Sequence, residues 1–573
     1  MKLFCVLWVV CAAGATSCFS LDRDAFTYTQ YKLDVRIEPE QQRLAVRGTI
    51  TLRNDSTTAQ KNAALQISSS LTWRSIQAEG KALQFVSQPY VSDIDHTGEL
   101  SEAIVALPRE ISSGGSVELN IGYEGVILLD ATRLTRIGLP KDTAVHSDWD
   151  QISKTYSAVR GVGNVTWYPV AMEVGNLSEG RSLFEVLGRW KKREQDAQVK
   201  IKVSLAMDNG ESPQTLLCGN GGIHRYEQVS GAQEDSADCD FAPLGLRVPT
   251  FALANYQILD QSAAQVAYRP EHRVNAEKFA QAAEAVAPFV TEWFGAVRGK
   301  AQVAELFDPG ASPYESGATL LTPLNDTDTK LLQIAMVHEL THAAFSSPRP
   351  WIYEGLAHFA QGAYRERQEN RAAALDFMGL HRAAIVEAEK AIAAEAKSAA
   401  PSDESLITTT IDEFFRSKAA YVWWMLRDLL GEEGLKKVLS AYRADQDKDP
   451  TYLQQLVQGQ SKHDLQWFFD DWVCHDHGLP DFLVESAFPR QASQDNYLVT
   501  VTIKNLGAAG AEVPVIARFD GGETSEHVEV RGKSKGVVRI ATPRPPTEII
   551  VNDGSVPESD LNNNAFKVEA PHR

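Results

Sequence analysis

At 573 residues the chain is too long for a single hydrophobic core, and its length corresponds to about three or four domains. Hydrophobic residues make up 43% and charged residues 23%, an ordinary globular balance. A formal net charge of −19 argues against nucleic acid or an anionic membrane surface as partner and suits neutral or cationic substrates.

Residues 1–20 read as a secretory signal: Lys2 is the basic start, Leu3 to Ala15 the apolar stretch, and small residues follow. Cleavage falls after Ala15 or after Ser20. Ala15-Thr16-Ser17-Cys18 also resembles a lipoprotein cleavage box, which makes Cys18 a candidate lipid anchor. No later segment approaches the ~20 apolar residues of a membrane span. The expected location is therefore exported: periplasmic, secreted or lipid-anchored.

From Phe26 to about Leu259, short alternating runs separated by turn residues predict a large β domain, taken as 21–268. Its strands include Tyr31 to Ile37, Leu44 to Leu52, Ser116 to Tyr123 and Val199 to Leu205. Cys218 and Cys239 flank a Gly-rich, acidic loop; they either pair or remain as two half-buried thiols. Near Arg273 the period becomes helical, beginning with Ala276 to Phe294, and a strand-like segment follows at Gln302 to Phe307. Helices are expected at Asn370 to Ala394, Asp412 to Leu430, Gly434 to Arg443 and Asp464 to Val473, with a loop at Ala400 to Thr410. This mostly helical part is taken as 269–488. Cys474-His475-Asp476-His477 invites reading as a second metal site, but it lacks the usual ligand spacing. From about Tyr497 the chain alternates again, through Leu498 to Ile503, Val513 to Phe519, Val528 to Val530 and Val537 to Ile540. That is a β-sandwich over 489–573.

The most informative stretch is His338-Glu339-Leu340-Thr341-His342, followed by a Pro-broken turn and Trp351-Ile352-Tyr353-Glu354-Gly355-Leu356-Ala357-His358. On a helix, His338 and His342 stand at i and i+4, so both imidazoles leave one face and can share one Zn²⁺. Glu339 lies beside them as a general base for the attacking water. Leu331, Leu332, Ile334, Ala335, Val337, Leu340, Ala343 and Ala344 make the helix apolar enough to bury. Asp326 or Asp328 caps its start, and Ser346-Ser347-Pro348 ends it. A second helix opening near Trp351 offers Glu354 as third ligand and leaves the fourth position to water.

With those residues in view, the chain resembles the aminopeptidase N family of gluzincin metallopeptidases over most of its length. Tyr31 to Leu52 is similar to the family's opening strands, and Trp167-Tyr168-Pro169-Val170 to its aromatic-Pro element. Trp351 to Ala357 resembles the Trp-Leu-Asn-Glu-Gly-Phe-Ala stretch that carries the third ligand. Lys418 through Leu430-Gly431-Glu432 resembles the helix that follows the family's active site, and Phe468 through Pro480 the end of its catalytic domain. The resemblance implies a multidomain α+β fold: a saddle-like β domain, a thermolysin-like, mostly helical catalytic domain and a C-terminal β-sandwich. The family's frequent C-terminal helical domain has no counterpart, since the sequence ends after the sandwich. It also implies one Zn²⁺ per chain and peptide substrates with a free N-terminus. Glu315, in Gly310 to Ala318, falls where the family places the carboxylate that anchors the substrate's amine.

The sequence departs from the family at three points. The connection between His342 and Glu354 is shorter. Arg416 stands where the family has an oxyanion-stabilising Tyr, so it is either the oxyanion donor or a charge-pairing residue, with Tyr314 and Tyr421 as alternative hydroxyls. His358, one turn beyond Glu354, either holds the Glu354 carboxylate, competes as a ligand, or is simply buried. The expected activity is zinc-dependent removal of N-terminal residues from peptides. The alternatives are a zinc endopeptidase or a non-catalytic peptide-binding protein on the same fold. Oligomeric state stays open.

Overall fold

The computed structural model describes residues 21–206, 214–226, 235–395, 405–493 and 496–568, so the expected signal segment and Cys18 lie outside it. The fold is a multidomain α+β arrangement. Strands dominate the first part because its sequence alternates. Along Phe26–Glu38, Tyr31, Leu33, Val35 and Ile37 turn inward while Lys32, Asp34 and Arg36 turn out. That strand pairs antiparallel with Arg43–Asn54 and parallel with Gln198–Leu205, inside a seven-stranded sheet. A three-stranded sheet led by Gln60–Ser68 and a four-stranded sheet containing Gln214–Cys218 and Phe251–Ala254 complete this part.

One element departs from the all-β expectation: Ser182–Glu194 is a helix, with Leu183, Val186 and Trp190 buried. Its run of Arg and Lys sits in the last turn, where the helix dipole favours positive charge. Cys218 and Cys239 are joined in a disulfide with Cα atoms 5.7 Å apart, which resolves the alternative left open by the sequence. Cys239 lies on Ser236–Phe241, the edge of the seven-stranded sheet, and Cys218 on the four-stranded one, so the bond ties two sheets together.

The five-stranded sheet that underlies the helices runs Gln257–Asp260, Ala264–Tyr268, Ala301–Glu305, Thr319–Thr322, Tyr314–Ser316. Its first two strands precede residue 268, so the pairing crosses the boundary expected there. The inner strands pair in parallel, while the edge strand Tyr314–Ser316 returns antiparallel against Thr319–Thr322. Helices Arg273–Phe294 and Thr329–Ala344 pack on it; Pro350–Gln368 packs on Thr329–Ala344, and Arg371–Glu395 and Ala419–Leu430 pack on Pro350–Gln368.

Two expected helices begin or end in wider turns: Glu413–Lys418 and Asp470–Cys474 are π-helical. The described part of the expected Ala400 to Thr410 loop is irregular from Ser405 on. The C-terminal strands form a three-stranded sheet led by Phe482–Ser493 facing a four-stranded one built on Ala511–Phe519. They share one apolar core with the helices, and Trp472 donates to the Gly510 carbonyl at 2.7 Å across that joint.

Replacing both Cys218 and Cys239 by Ser frees a 21-residue loop. It should lower the stability of the N-terminal part by about 3 kcal/mol. Urea unfolding followed by tryptophan fluorescence, compared with the parent, checks this.

Candidate metal centre

The helix Thr329–Ala344 starts where Asp328 accepts a hydrogen bond from the Lys330 amide at 2.8 Å. That settles the cap on Asp328; Asp326 pairs instead with Lys278. Leu332, Met336, Val337 and Leu340 are buried, although Leu331, expected inside, is exposed. His338 and His342 leave the same face with their Nε2 atoms 3.1 Å apart.

The second helix, Pro350–Gln368, opens with Pro at its first position, where no N–H is needed. Trp351 stacks on Trp423 at 5.4 Å and anchors this helix to Ala419–Leu430. Gly355 permits the close approach. A Cβ there would stand 2.6 Å from the Ala419 side chain and 3.1 Å from Trp423 Cδ1. The crossing delivers Glu354, with Oε2 at 3.9 Å from His338 Nε2 and Oε1 at 3.8 Å from His342 Nε2.

His338, His342 and Glu354 form the metal-capable cluster found among the described residues, with all ligand atoms within 4.8 Å of one another. Tetrahedral ligands about 2.0–2.1 Å from one ion stand about 3.3 Å apart, so the spacing fits zinc. Burial, then the neighbouring His342 and Arg416, push the His338 imidazole well below its usual range, and burial does the same to His342. Burial thus favours the neutral ring, the form a metal requires. Burial acts to raise Glu354, but His342 and Arg416 outweigh it and hold the carboxylate ionised. His342 Nδ1 is buried without a partner.

Glu339 is fully buried, and neither carboxylate oxygen has a hydrogen-bond partner. Burial raises its pKa well above the usual range, and Glu315 and Glu354 add to the effect. Glu315 lies on the edge strand, its Oε2 at 3.4 Å from His338 Nε2 and its side chain partly open to solvent.

Arg416 comes from the π-helical turn Glu413–Lys418, a wider turn that shifts side-chain phase relative to an α-helix. Its guanidinium lies 3.6 Å from both Glu354 and Glu315 and 3.3 Å from Asp412, and its Nε donates to His358 Nε2 at 3.2 Å. His358 spends its other ring nitrogen on Gln361 at 3.1 Å, so its hydrogen bonds run to Arg416 and Gln361 and not to Glu354. Neither alternative hydroxyl joins the cluster. Tyr314 faces Arg160, on the opposite side of its strand from Glu315, and Tyr421 is buried beside Arg382. The Cys474 to His477 run is no ligand set: His477 pairs with Asp471 at 2.9 Å, and Asp476 pairs with the buried Lys418.

Three neighbours escaped the sequence reading. Tyr353 stacks on His342 at 4.0 Å, and only its place beside Glu354 hinted at this. Lys191, on the unanticipated helix Ser182–Glu194, is held below its usual range by burial, against the pull of Glu354 and Asp412. His381 reaches the cluster through His358, with ring centroids 5.1 Å apart.

A cavity of about 870 Å³ opens between the N-terminal part and the helices and is walled at one end by His342 and Tyr353. No helix of the described residues is long and apolar enough to cross a membrane.

Gly355→Ala should drive the two helices apart, at a cost of about 1–3 kcal/mol. Thermal unfolding should show the loss of stability, and zinc titration by calorimetry should show weakened binding.

No family model matches the sequence, and no curated protein matches it. Among solved structures, the chain is similar to an M1 zinc metallopeptidase from Deinococcus radiodurans, solved in a substituted form bound to a Tyr-Ser-Ala substrate. Identity is 14% and the TM-score 0.46, over 79% of this chain and 95% of that one. A two-domain M1 zinc metallopeptidase bound to L-arginine gives 15% identity and a TM-score of 0.46, over 76% and 91%. At these values the chemistry rests on the geometry of this chain's own residues.

Proposed function

We propose that this protein is an exported, zinc-dependent aminopeptidase that removes N-terminal residues from peptides. The observation that carries the reading is Glu339, a fully buried carboxylate with no hydrogen bond among the described residues, set beside two imidazoles and the Glu354 carboxylate. Stranding such a group costs several kcal/mol, so a role in structure alone does not account for it. A binding protein that merely held zinc would have no use for it.

His338, His342 and Glu354 are the proposed ligands of one Zn²⁺, which when bound polarises the scissile carbonyl and acidifies water. Glu339 takes a proton from the attacking water and returns it to the leaving amine. Glu315 pairs with the substrate's α-ammonium and so fixes which peptide bond meets the ligand cluster. Arg416 holds Glu354 and Glu315 in place by charge, and its remaining N–H groups are candidates to stabilise the oxyanion. The 870 Å³ cavity takes the peptide.

One observation favours a second reading. Arg416 already lies within ion-pair reach of Glu315, so the anchor's charge is partly matched before substrate arrives. A fully matched Glu315 would leave a zinc endopeptidase.

Digestion of one peptide with a free and with an acetylated N-terminus separates these readings. Stepwise trimming of the free peptide alone is the expected result. Glu339→Gln should slow it by about 10²–10⁴-fold while leaving zinc bound. Internal cleavage of both peptides would establish the endopeptidase. Zinc binding without cleavage of either would leave only a binding protein.

A further inference from the structure

The cleft carries a charge that the catalytic cluster does not use. Arg247, on the segment leading into strand Phe251–Ala254, lines the 870 Å³ cavity together with His342 and Tyr353. Its guanidinium is held by two backbone carbonyls, Leu244 at 3.1 Å and Pro243 at 2.9 Å, and lies over the Phe241 ring at 5.1 Å. Among the described residues it has no carboxylate partner, and burial pulls it below its usual range with only Tyr353 opposing. The other cations of the cavity differ: Lys300 is paired with Asp260 at 2.6 Å, and Lys448 is exposed. The carboxylates lining it, Asp196 and Asp445, are exposed.

Gly317 places this arginine relative to the site. A Cβ on Gly317 would stand 3.1 Å from both Cγ and Cδ of Arg247 and 3.5 Å from the Tyr353 hydroxyl. Gly317 is two residues beyond Glu315, and the Val248 amide donates to Ser316 Oγ at 3.0 Å, so the Arg247 segment is tied to the Glu315 strand. Glu315 approaches the cluster beside His338, while the cavity wall holds His342 and Tyr353 and includes neither Glu315 nor Arg416. Glu315 thus meets the cluster at His338, and the Arg247 guanidinium stands in the cavity wall with His342 and Tyr353. An extended peptide of two or three residues spans roughly 7–11 Å.

We propose that Arg247, with the Tyr353 hydroxyl beside it, binds the C-terminal carboxylate of a short peptide, so that the enzyme holds di- and tripeptides at both ends. This rests on the aminopeptidase reading and names its substrate class. A guanidinium already oriented by two carbonyls presents its remaining N–H groups as a fork to a carboxylate, and the low-dielectric wall strengthens that pairing.

The test measures binding by calorimetry to Glu339→Gln protein, which keeps the ligand cluster and removes the base. The probes are trialanine, trialanine amide, and Ala-Ala-Asp amide. Trialanine should bind about 10-fold or more tightly than its amide. Arg247→Met should bring that ratio to about one, and Arg247→Lys, which keeps charge without the fork, should give an intermediate value. Because the ratio is taken between two ligands of one protein, a general loss of folded protein lowers both affinities alike. An acid-to-amide ratio near one in the parent, an unchanged ratio in either variant, or no binding of any probe overturns the proposal. Ala-Ala-Asp amide matching trialanine would do the same by reassigning Arg247 to acidic side chains. Wild-type digestion of trialanine amide keeps the two readings apart. If the amide is trimmed as fast as the acid at low concentration, the aminopeptidase stands and the clamp falls. If no peptide is cleaved although the binding ratio holds, only the aminopeptidase reading falls.

Discussion

Two imidazoles and a carboxylate are forced together out of water, and much of the surrounding structure serves that convergence. His338 and His342 are one helical turn apart and would be brought together by any helix, but Glu354 arrives only because a second helix crosses at close range. The approach depends on Gly355, where any side chain would collide with Ala419, and on the Trp351–Trp423 stack beside it. Desolvation then does the electrostatic work. It lowers the pKa of both rings and would raise that of Glu354 were His342 and Arg416 not at hand.

Arg416 is bound into this convergence by charge. A half-buried guanidinium favours counter-charges, and Glu354, Glu315 and Asp412 provide them from three separate segments. The same contacts stabilise the ionised carboxylates, so cation and anions are mutually dependent. Glu339 stands apart from this network, with neither oxygen engaged. The contrast between a charge-paired Glu354 and a Glu339 without a hydrogen bond among the described residues, in adjacent helices, separates a candidate ligand from a candidate base.

The N-terminal sheets act on the site from a distance. Tyr256 donates to the Glu305 carbonyl at 2.7 Å, Tyr156 stacks on Phe307 at 4.3 Å, and Val248 holds Ser316. The first two fasten the inner strand Ala301–Glu305 and the residues after it, and the third fastens the edge strand that carries Glu315. Helix Ser182–Glu194 adds Lys191 near Glu354 and Asp412. The cleft is thus made by two parts of the chain, each contributing charge of its own.

The sequence by itself determined what local periodicity and local chemistry control. Alternation predicted Phe26–Glu38, Arg43–Asn54 and the C-terminal strands, because pleated strands expose every second residue. The i, i+4 spacing predicted the shared face of His338 and His342, because helix pitch is fixed by the backbone. Resemblance in motif pointed to Glu354, Glu315 and Arg416, and the fold brings all three to the cluster. Helix Ser182–Glu194 was lost among strand-like neighbours, and the sheet pairing across residue 268 leaves no mark in either segment alone. Tertiary structure alone decided that Cys218 meets Cys239, that His358 binds Arg416 and not Glu354, that Tyr314 turns away while Tyr353 stacks on His342, and that Arg247 is left without a counter-charge. Each of these depends on residues distant in sequence meeting in a desolvated space, where the sign and strength of an interaction are set by what packs around it.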